Sequence, residues 1–394
     1  MPQINIKNIY AEFPGVVFDA WFLWLPALLL FFFWRLWKYY VRLSFLGSLN
    51  WVMLEIKLPR EIYKSPQAME SVINVFYHAK NPNLKEKYWD GFVRQWFSLE
   101  ILGDGGEIRF FIRTQKFFKK MVEQQIYSHY PDVEVAEADD YVKEFFDKGL
   151  DKEWKMYGTE FKLVAPDPFP IKTYVDYGLH EMATKEEQKI DPMTSFLEFL
   201  GSLKKGEQVW YQILIRTTTT EWKDSGRELV DKLMKREERP KEKEGETDFS
   251  SFSVSPGERK IAEAIEKNVS KYGFDVGMRT IYLARPNLFD KINVASMIGS
   301  MNQYNSMNLN GFKPTRVTDV NYFFVEKRVA AKKKKMLDAY RKRSYFYLPY
   351  IYPTFVLNTE ELATIFHLPG SVAETPTFSR IEAKKGEPPP GLPV

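Results

Sequence analysis

The run Val16–Trp34, VVFDAWFLWLPALLLFFFW, constrains this chain more than any other stretch. A bilayer core asks for roughly 20 residues of helix. The uncharged part, from Ala20 to Trp34, falls short of that, and Leu36, Trp37, Tyr39 and Tyr40 extend it at the far end. Snorkelling flanks can supply the remainder. Trp21, Trp24, Trp34, Trp37, Tyr39 and Tyr40 suit the two interfacial belts, and Pro26 is tolerated inside a membrane helix. A cleaved signal peptide would need a basic n-region and a small-residue cleavage site. An interfacial helix would need one strongly polar face. LLLFFFW has neither. Before the run stand Lys7 and Glu12; after it come Arg35, Lys38 and Arg42, with no acid until Glu55. Positive charge stays inside. The sequence therefore predicts a single-pass protein of the cytoplasmic membrane, with a short extracytoplasmic N-terminus (1–15), an anchor (16–41) and the bulk of the chain in the cytoplasm.

With 394 residues, 44% of them hydrophobic, the remainder can bury two modest cores. Basic and acidic residues number 56 and 52, so bulk charge does not define a nucleic-acid protein, and any cationic function must be local. There is no cysteine, which excludes disulfides, zinc–thiolate sites, iron–sulfur clusters and a thiol nucleophile. His78, His129, His180 and His367 share no metal-ligand spacing. No cofactor is expected.

The pattern predicts an α+β chain with two domains of ferredoxin-like (βαββαβ) type. In the first, 48–140, Trp51–Leu58 alternates as a strand, and Ser65-Pro66 opens a helix carrying Met69, Val72, Ile73 and Phe76. Trp96–Leu102 and Glu107–Arg113 flank Gly103-Asp104-Gly105-Gly106 as a hairpin. Thr114 is placed to cap a second helix with Phe118, Met121, Val122 and Ile126, and Val133–Ala136 is a last short strand. In the second, 155–325, Phe161–Val164, Gln208–Arg216, Val276–Ala284 and Val320–Val325 read as strands, and Thr194–Leu203 and Ile292–Met301 as helices. A charged insertion, 221–254, interrupts it. From Glu221 to Asp248, 18 of 28 residues are charged, which predicts an exposed helix passing into a disordered loop. Ser255-Pro256-Gly257-Glu258 is a capping box that opens a helix with Ile261, Ile265, Val269 and Tyr272 on one stripe, ended by Gly273. The last segment, 326–394, holds a basic helix, a short helix capped at Asn358 and a proline-rich tail, GEPPPGLPV.

Catalytic signatures are missing. Gly201–Gly206 has the two-glycine spacing of a P-loop, but Glu207-Gln208 stand where Lys-Ser or Lys-Thr should, and the stretch precedes a strand instead of following one. It reads as a helix-to-strand turn. There is no G-x-S-x-G elbow and no H-E-x-x-H, and Asp139-Asp140 reads as a solvated turn. The chain is expected not to be an enzyme. The remaining feature is the basic run Lys327, Arg328, Lys332, Lys333, Lys334, Lys335, Arg341, Lys342 and Arg343. It has three readings: contact with nucleic-acid phosphates, contact with anionic lipid, or a solvated helix face. Tyr340, Tyr345, Phe346, Tyr347 and Tyr350 would suit base stacking or a packed partner interface equally.

Several stretches resemble a family of membrane-anchored proteins from small-genome bacteria of the candidate phyla radiation, associated with type IV secretion or conjugative DNA transfer. They are LEIKLPREIYKSPQAME (54–70), RFFIRTQKFFKKMVEQQIYSHYPDVEV (109–135), KIDPMTSFLEFLGSLKKGEQVWYQILIR (189–216), LNGFKP (309–314) and LNTEELATIFHLPGSVAETPTFSRIEAKKGEPPPGLP (357–393). The last is similar to the stretch that precedes the motor domain in VirD4/TraG/HerA-like DNA-translocating ATPases. The resemblance implies a membrane platform or adaptor that couples to such an ATPase, on the same or a separate polypeptide, with DNA as a further partner and homo-oligomers as a possible assembly. It brings no catalytic residues. The rival expectation is a membrane-bound scaffold unrelated to DNA, with the basic helix on lipid or protein.

Overall fold

The computed structural model describes residues 21–59, 64–78, 82–147, 153–180, 190–219, 221–234, 255–321, 323–370 and 380–381. In chain order its elements are helix α1 (Trp21–Ser48), strand β1 (Trp51–Pro59), helices α2 (Pro66–Asn74) and α3 (Leu84–Tyr88), strands β2 (Trp96–Asp104) and β3 (Glu107–Gln115), α4 (Lys119–His129), β4 (Glu134–Ala138), α5 (Tyr141–Asp147), β5 (Lys155–Leu163), α6 (Thr194–Gly201), β6 (Glu207–Thr217), α7 (Glu221–Leu233), α8 (Pro256–Ser270), β7 (Gly273–Ala284), α9 (Lys291–Gly299), β8 (Phe312–Thr315), α10 (Val325–Arg341), β9 (Phe355–Asn358), α11 (Thr359–Ile365) and β10 (Arg380–Ile381). They form two units: residues up to Leu49 with Lys80–Arg94, and Asn50–Ala79 with everything from Gln95 onward.

In the first unit, α1 is the one helix among the described residues that is long and apolar enough to cross a membrane. It runs past residue 41, the expected end of the anchor, to Ser48, because nothing before Gly47 breaks it. At 1.5 Å per residue its 28 residues span about 42 Å.

The second unit is built on one ten-stranded sheet, whose main path runs β10-β1-β3-β2-β6-β7-β5-β8; β4 also pairs with β1, and β9 with β7. All the pairings are antiparallel except β1 with β10. The β2–β3 hairpin forms where the glycine-rich turn placed it. The two α+β segments are continuous through β2 and β6, paired from Trp96↔Arg216 to Asp104↔Gln208. The sequence placed a final strand at Val320–Val325; the strand lies earlier, at β8, and Val325 begins α10. Thr114 is not a cap but a residue of β3, paired with Val52. Gly273 is likewise the first residue of β7 and not a helix terminator.

Both faces of the sheet are covered, which explains why β2 is buried from Trp96 to Gly103. On the first face, Phe97, Leu99 and Ile101 of β2 and Ile108, Phe110 and Ile112 of β3 meet the apolar stripes of α2, α4, α6 and α11. On the second face, Met53, Phe111, Trp210, Ile281 and Leu283 meet α5 and α10. A third cluster joins α7 and α8: Trp222 and Val230 meet Ala262, Ile265 and Val269. Helix α7 is therefore docked, contrary to the expectation that the charged stretch buries no face. Trp222, Gly226 and Val230, four apart, make a stripe beneath the charges. The rest of that insertion, 235–254, and the proline-rich tail lie outside the described residues. Helix α11, capped by Asn358 as expected, is buried along its whole length.

Candidate functional site

The second face of the sheet carries an unbroken cross-strand row. Successive pairings align Glu55, Phe111, Glu100, Gln212, Arg279, Glu160 and Thr315 on β1, β3, β2, β6, β7, β5 and β8. Apart from Thr315, the last residue of β8, each sits within its strand, where alternation points it to this second face. Glu100, Gln212, Arg279 and Glu160 are all buried. What buries them is the end of α10 and the aromatic strap that follows, residues 342–352.

Arg343 is the keystone of that cover. Its Nε and Nη2 donate to the two oxygens of Glu100, each at 3.0 Å, and Nη1 and Nη2 donate to Asp140 at 2.5 and 2.9 Å. Ser98, Tyr141 and Gln212 also donate to Glu100. Burial by itself pushes the Glu100 carboxyl up, but the Arg343 charge and these bonds outweigh it and bring it down to about 2. One expectation is thus corrected: Arg343 is not on an exposed basic face, while Asp140, partly exposed at the exit of β4, is held by it. Further along the row, Arg279 donates to the Ser344 carbonyl at 2.9 Å and lies under Tyr345, while Arg316 pairs with Glu160 at 2.5 Å. Tyr340, Tyr345 and Phe346 are buried, so they offer no face to a nucleic-acid base.

The four-lysine run does not share one face either, since consecutive helical residues are about 100° apart. Met336, Ala339 and Tyr340 turn toward the sheet. Lys332 reaches along the body to the Val317 carbonyl at 3.2 Å. Lys333, Leu337 and Arg341, four apart, line a groove of about 800 Å³ between α10 and α5, with Lys334 and Lys335 on its rim. Phe145, Phe146, Trp154, Met156 and Leu283 supply its apolar wall. Arg341 lies 4.9 Å over the Phe146 ring, and Phe145 stacks edge-on to Trp154 at 5.5 Å. Burial pulls the Lys333 ammonium below its ordinary value, and Lys155 across the groove adds to that. Lys342 and Arg341 both pair with Asp338. Lys327 and Arg328 stand on the exposed first turns of α10. Arg35, Lys38 and Arg42 belong to α1 in the other unit.

This groove can hold a ligand that is apolar on one side and anionic on the other. Sequence reasoning missed its wall: YVKEFFD (141–147) alternates poorly and signals no element by itself. A buried dyad of His367 and Asp191 lies away from the groove. His367 Nε2 meets Asp191 at 3.0 Å, and its Nδ1 meets the Ala363 carbonyl at 2.8 Å. Both nitrogens face acceptors; burial pulls the imidazole down, and the Asp191 carboxylate more than offsets it, raising it above its ordinary value.

Fold and site together define an α+β body with a cationic groove, following one helix apolar enough for a membrane. The chain belongs to the family DUF8128, a domain of unknown function, whose profile matches residues 50–380. That span opens one residue before β1 and closes at β10. No curated protein matches the chain.

Proposed function

We propose that the chain is a non-enzymatic, membrane-anchored platform of a type IV secretion-like or conjugative DNA-translocation system, and that it recruits a separate P-loop DNA-translocating ATPase of the VirD4/HerA type. The anchor is α1, with its N-terminus outside and the body cytoplasmic, a reading supported by Arg35, Lys38 and Arg42 after the apolar run. The body is two ferredoxin-like halves set edge to edge. Supporting this, the strand order is β4-β1-β3-β2 on one side and its reverse, β6-β7-β5-β8, on the other.

The groove between α5 and α10 is the observation that carries the proposal. Its lysine rim selects an anionic partner, and its aromatic wall needs an apolar knob to fill it. An acidic protein segment bearing an aromatic or aliphatic side chain supplies both; a phosphodiester backbone supplies only the charge. The groove therefore favours the motor over DNA as the direct contact.

A photo-crosslinking amino acid at Phe146 of the full chain, in native membranes, tests this. The expected adduct is a P-loop ATPase, lost when Lys333, Lys334 and Lys335 are changed to glutamate. Adducts to lipid alone would favour the membrane scaffold unrelated to DNA, and an unchanged ATPase adduct in the variant would remove the groove from recruitment.

A further inference from the structure

The unit that holds α1 contains a second element. Helix α3 is opened by a capping box in which Asn83 and Glu86 serve each other's backbone amides. The segment from Tyr88 to Phe92 lies along α1. Tyr88 and Trp89 meet Trp34, with ring centres 5.6 and 6.3 Å apart. Trp37 packs on Trp89 at 6.1 Å and donates its indole N–H to the Tyr88 carbonyl at 3.0 Å. Phe45 meets Phe92 at 5.5 Å. Gly91, at φ +68°, comes so close to the helix that a Cβ would overlap the Val41 carbonyl. Trp34, Trp37, Val41 and Phe45 form one stripe on α1. The contacts advance from Trp34 to Phe45 as the segment advances from Tyr88 to Phe92. Residues before Tyr88 are thereby set toward the apolar end of α1.

Those residues are unusual for a surface. Leu84 is 76% exposed and Trp89 60% exposed. Among the described residues of this unit the charged side chains are Arg35, Lys38, Arg42, Lys85, Lys87 and Arg94, against Glu86 and Asp90, and Glu86 is engaged in the cap. Exposed apolar side chains beside an aromatic girdle and an excess of cations match the headgroup layer of an anionic leaflet. We propose that Leu84–Trp89 is a second membrane contact, a foot seated in the interfacial layer of the leaflet where α1 leaves it. The inference rests on reading α1 as a membrane span. It adds that the span's end is fixed in depth by a segment far from it in sequence.

The chain has no cysteine, so single-cysteine variants can be labelled without background. Leu29→Cys, Leu84→Cys and Met307→Cys, each carrying an environment-sensitive fluorophore, would be measured on the full chain. The vesicles would be phosphatidylcholine and phosphatidylglycerol in equal parts, with quenchers at headgroup or mid-chain depth. Leu29 should be quenched most at mid-chain and Leu84 at headgroup depth. Met307, fully exposed on the body, should stay unquenched. Leu84 quenching should fall several-fold in the Lys85→Glu/Lys87→Glu background. A Leu84 label that behaves like Met307 while Leu29 is quenched overturns the foot and leaves the span standing. An unquenched Leu29 overturns the span, and the foot with it.

Discussion

The guanidinium of Arg343 forks onto the carboxylate of Glu100 with two bonds of 3.0 Å, and neither side chain is reached by solvent. The two residues stand 243 positions apart, one just past α10 and the other on a central strand. Their pairing ties the C-terminal strap to the middle of the sheet. It also splits the basic run in two: a buried structural arginine, and lysines that serve a groove.

Breaking one side of this pair should cost far more than replacing both. Arg343→Met strands a buried carboxylate and should destabilise the full chain by about 3–5 kcal/mol, read as a lower urea midpoint in detergent. The double variant Arg343→Met/Glu100→Gln should recover part of that loss. Lys334→Glu and Lys335→Glu, on exposed positions, should shift the midpoint little. A midpoint for Arg343→Met equal to that of Lys334→Glu would mean the pair is not formed.

Acid should weaken the fold through Glu100. Its carboxyl sits at about 2 in the folded chain against an ordinary 4.5, so the stabilisation it brings is complete above 4.5 and lost as pH falls through about 2. The amount is about 3 kcal/mol. Glu361 works the other way. Burial pushes its carboxyl up to about 8, against the amides of Asn358 and Ile171 that favour the charged form. Its contribution is complete below 4.5 and lost as pH rises through about 8. The two carboxyls together place the maximum near pH 4.5, so urea midpoints at pH 4.5 should exceed those at both pH 2.5 and pH 8. Glu361→Gln should flatten the alkaline limb alone.

The seat of the aromatic strap can be tested at two glycines. A Cβ on Gly277 would run into the ring of Tyr345, which is rigid and buried. Gly277→Ala should cost about 1–3 kcal/mol by forcing the strap off β7. A Cβ on Gly158 would meet the thioether of Met336, a flexible chain end. Gly158→Ala should cost under about 1 kcal/mol. Equal melting temperatures for the two variants would mean that Tyr345 does not lie on Gly277.

Docking of α7 gives a further test. Gly226 faces Val269 closely enough that an added methyl would overlap it. Gly226→Val should undock α7 from α8, measured as faster amide exchange in Glu221–Leu233, with exchange in β2 unchanged. Uniform acceleration would instead mark a global loss.

Where alternation had a covered face to report on, the sequence spoke clearly. Phe97, Leu99 and Ile101, like Ile108, Phe110 and Ile112, mark the first face of the sheet, and Ser255 with Glu258 marks the start of α8. Glu55 and Glu100 sit between apolar neighbours, as solvent-facing residues of an alternating strand would, and Glu160 lies between Thr159 and Phe161. Glu100 and Glu160 are buried with partners distant in chain order, Tyr141 and Arg343 for the first and Arg316 for the second, and no local pattern announces them. The same holds for the groove, whose aromatic wall and cationic rim come from segments that are strangers in sequence. β8 is four residues long and holds a proline, too little for a strand signal. The run Lys332–Lys335 is plain to read as charge, but its division around the helix depends on which side Met336 and Tyr340 bury.

Only Leu49 and Asn50 separate α1 from β1. β1 is held along both sides, by β3 over Trp51–Ile56 and by β4 over Met53–Lys57. Whatever part of a pull on the start of β1 acts along the strand runs at right angles to the hydrogen bonds on either side, so those bonds are loaded together in shear and are not peeled one at a time.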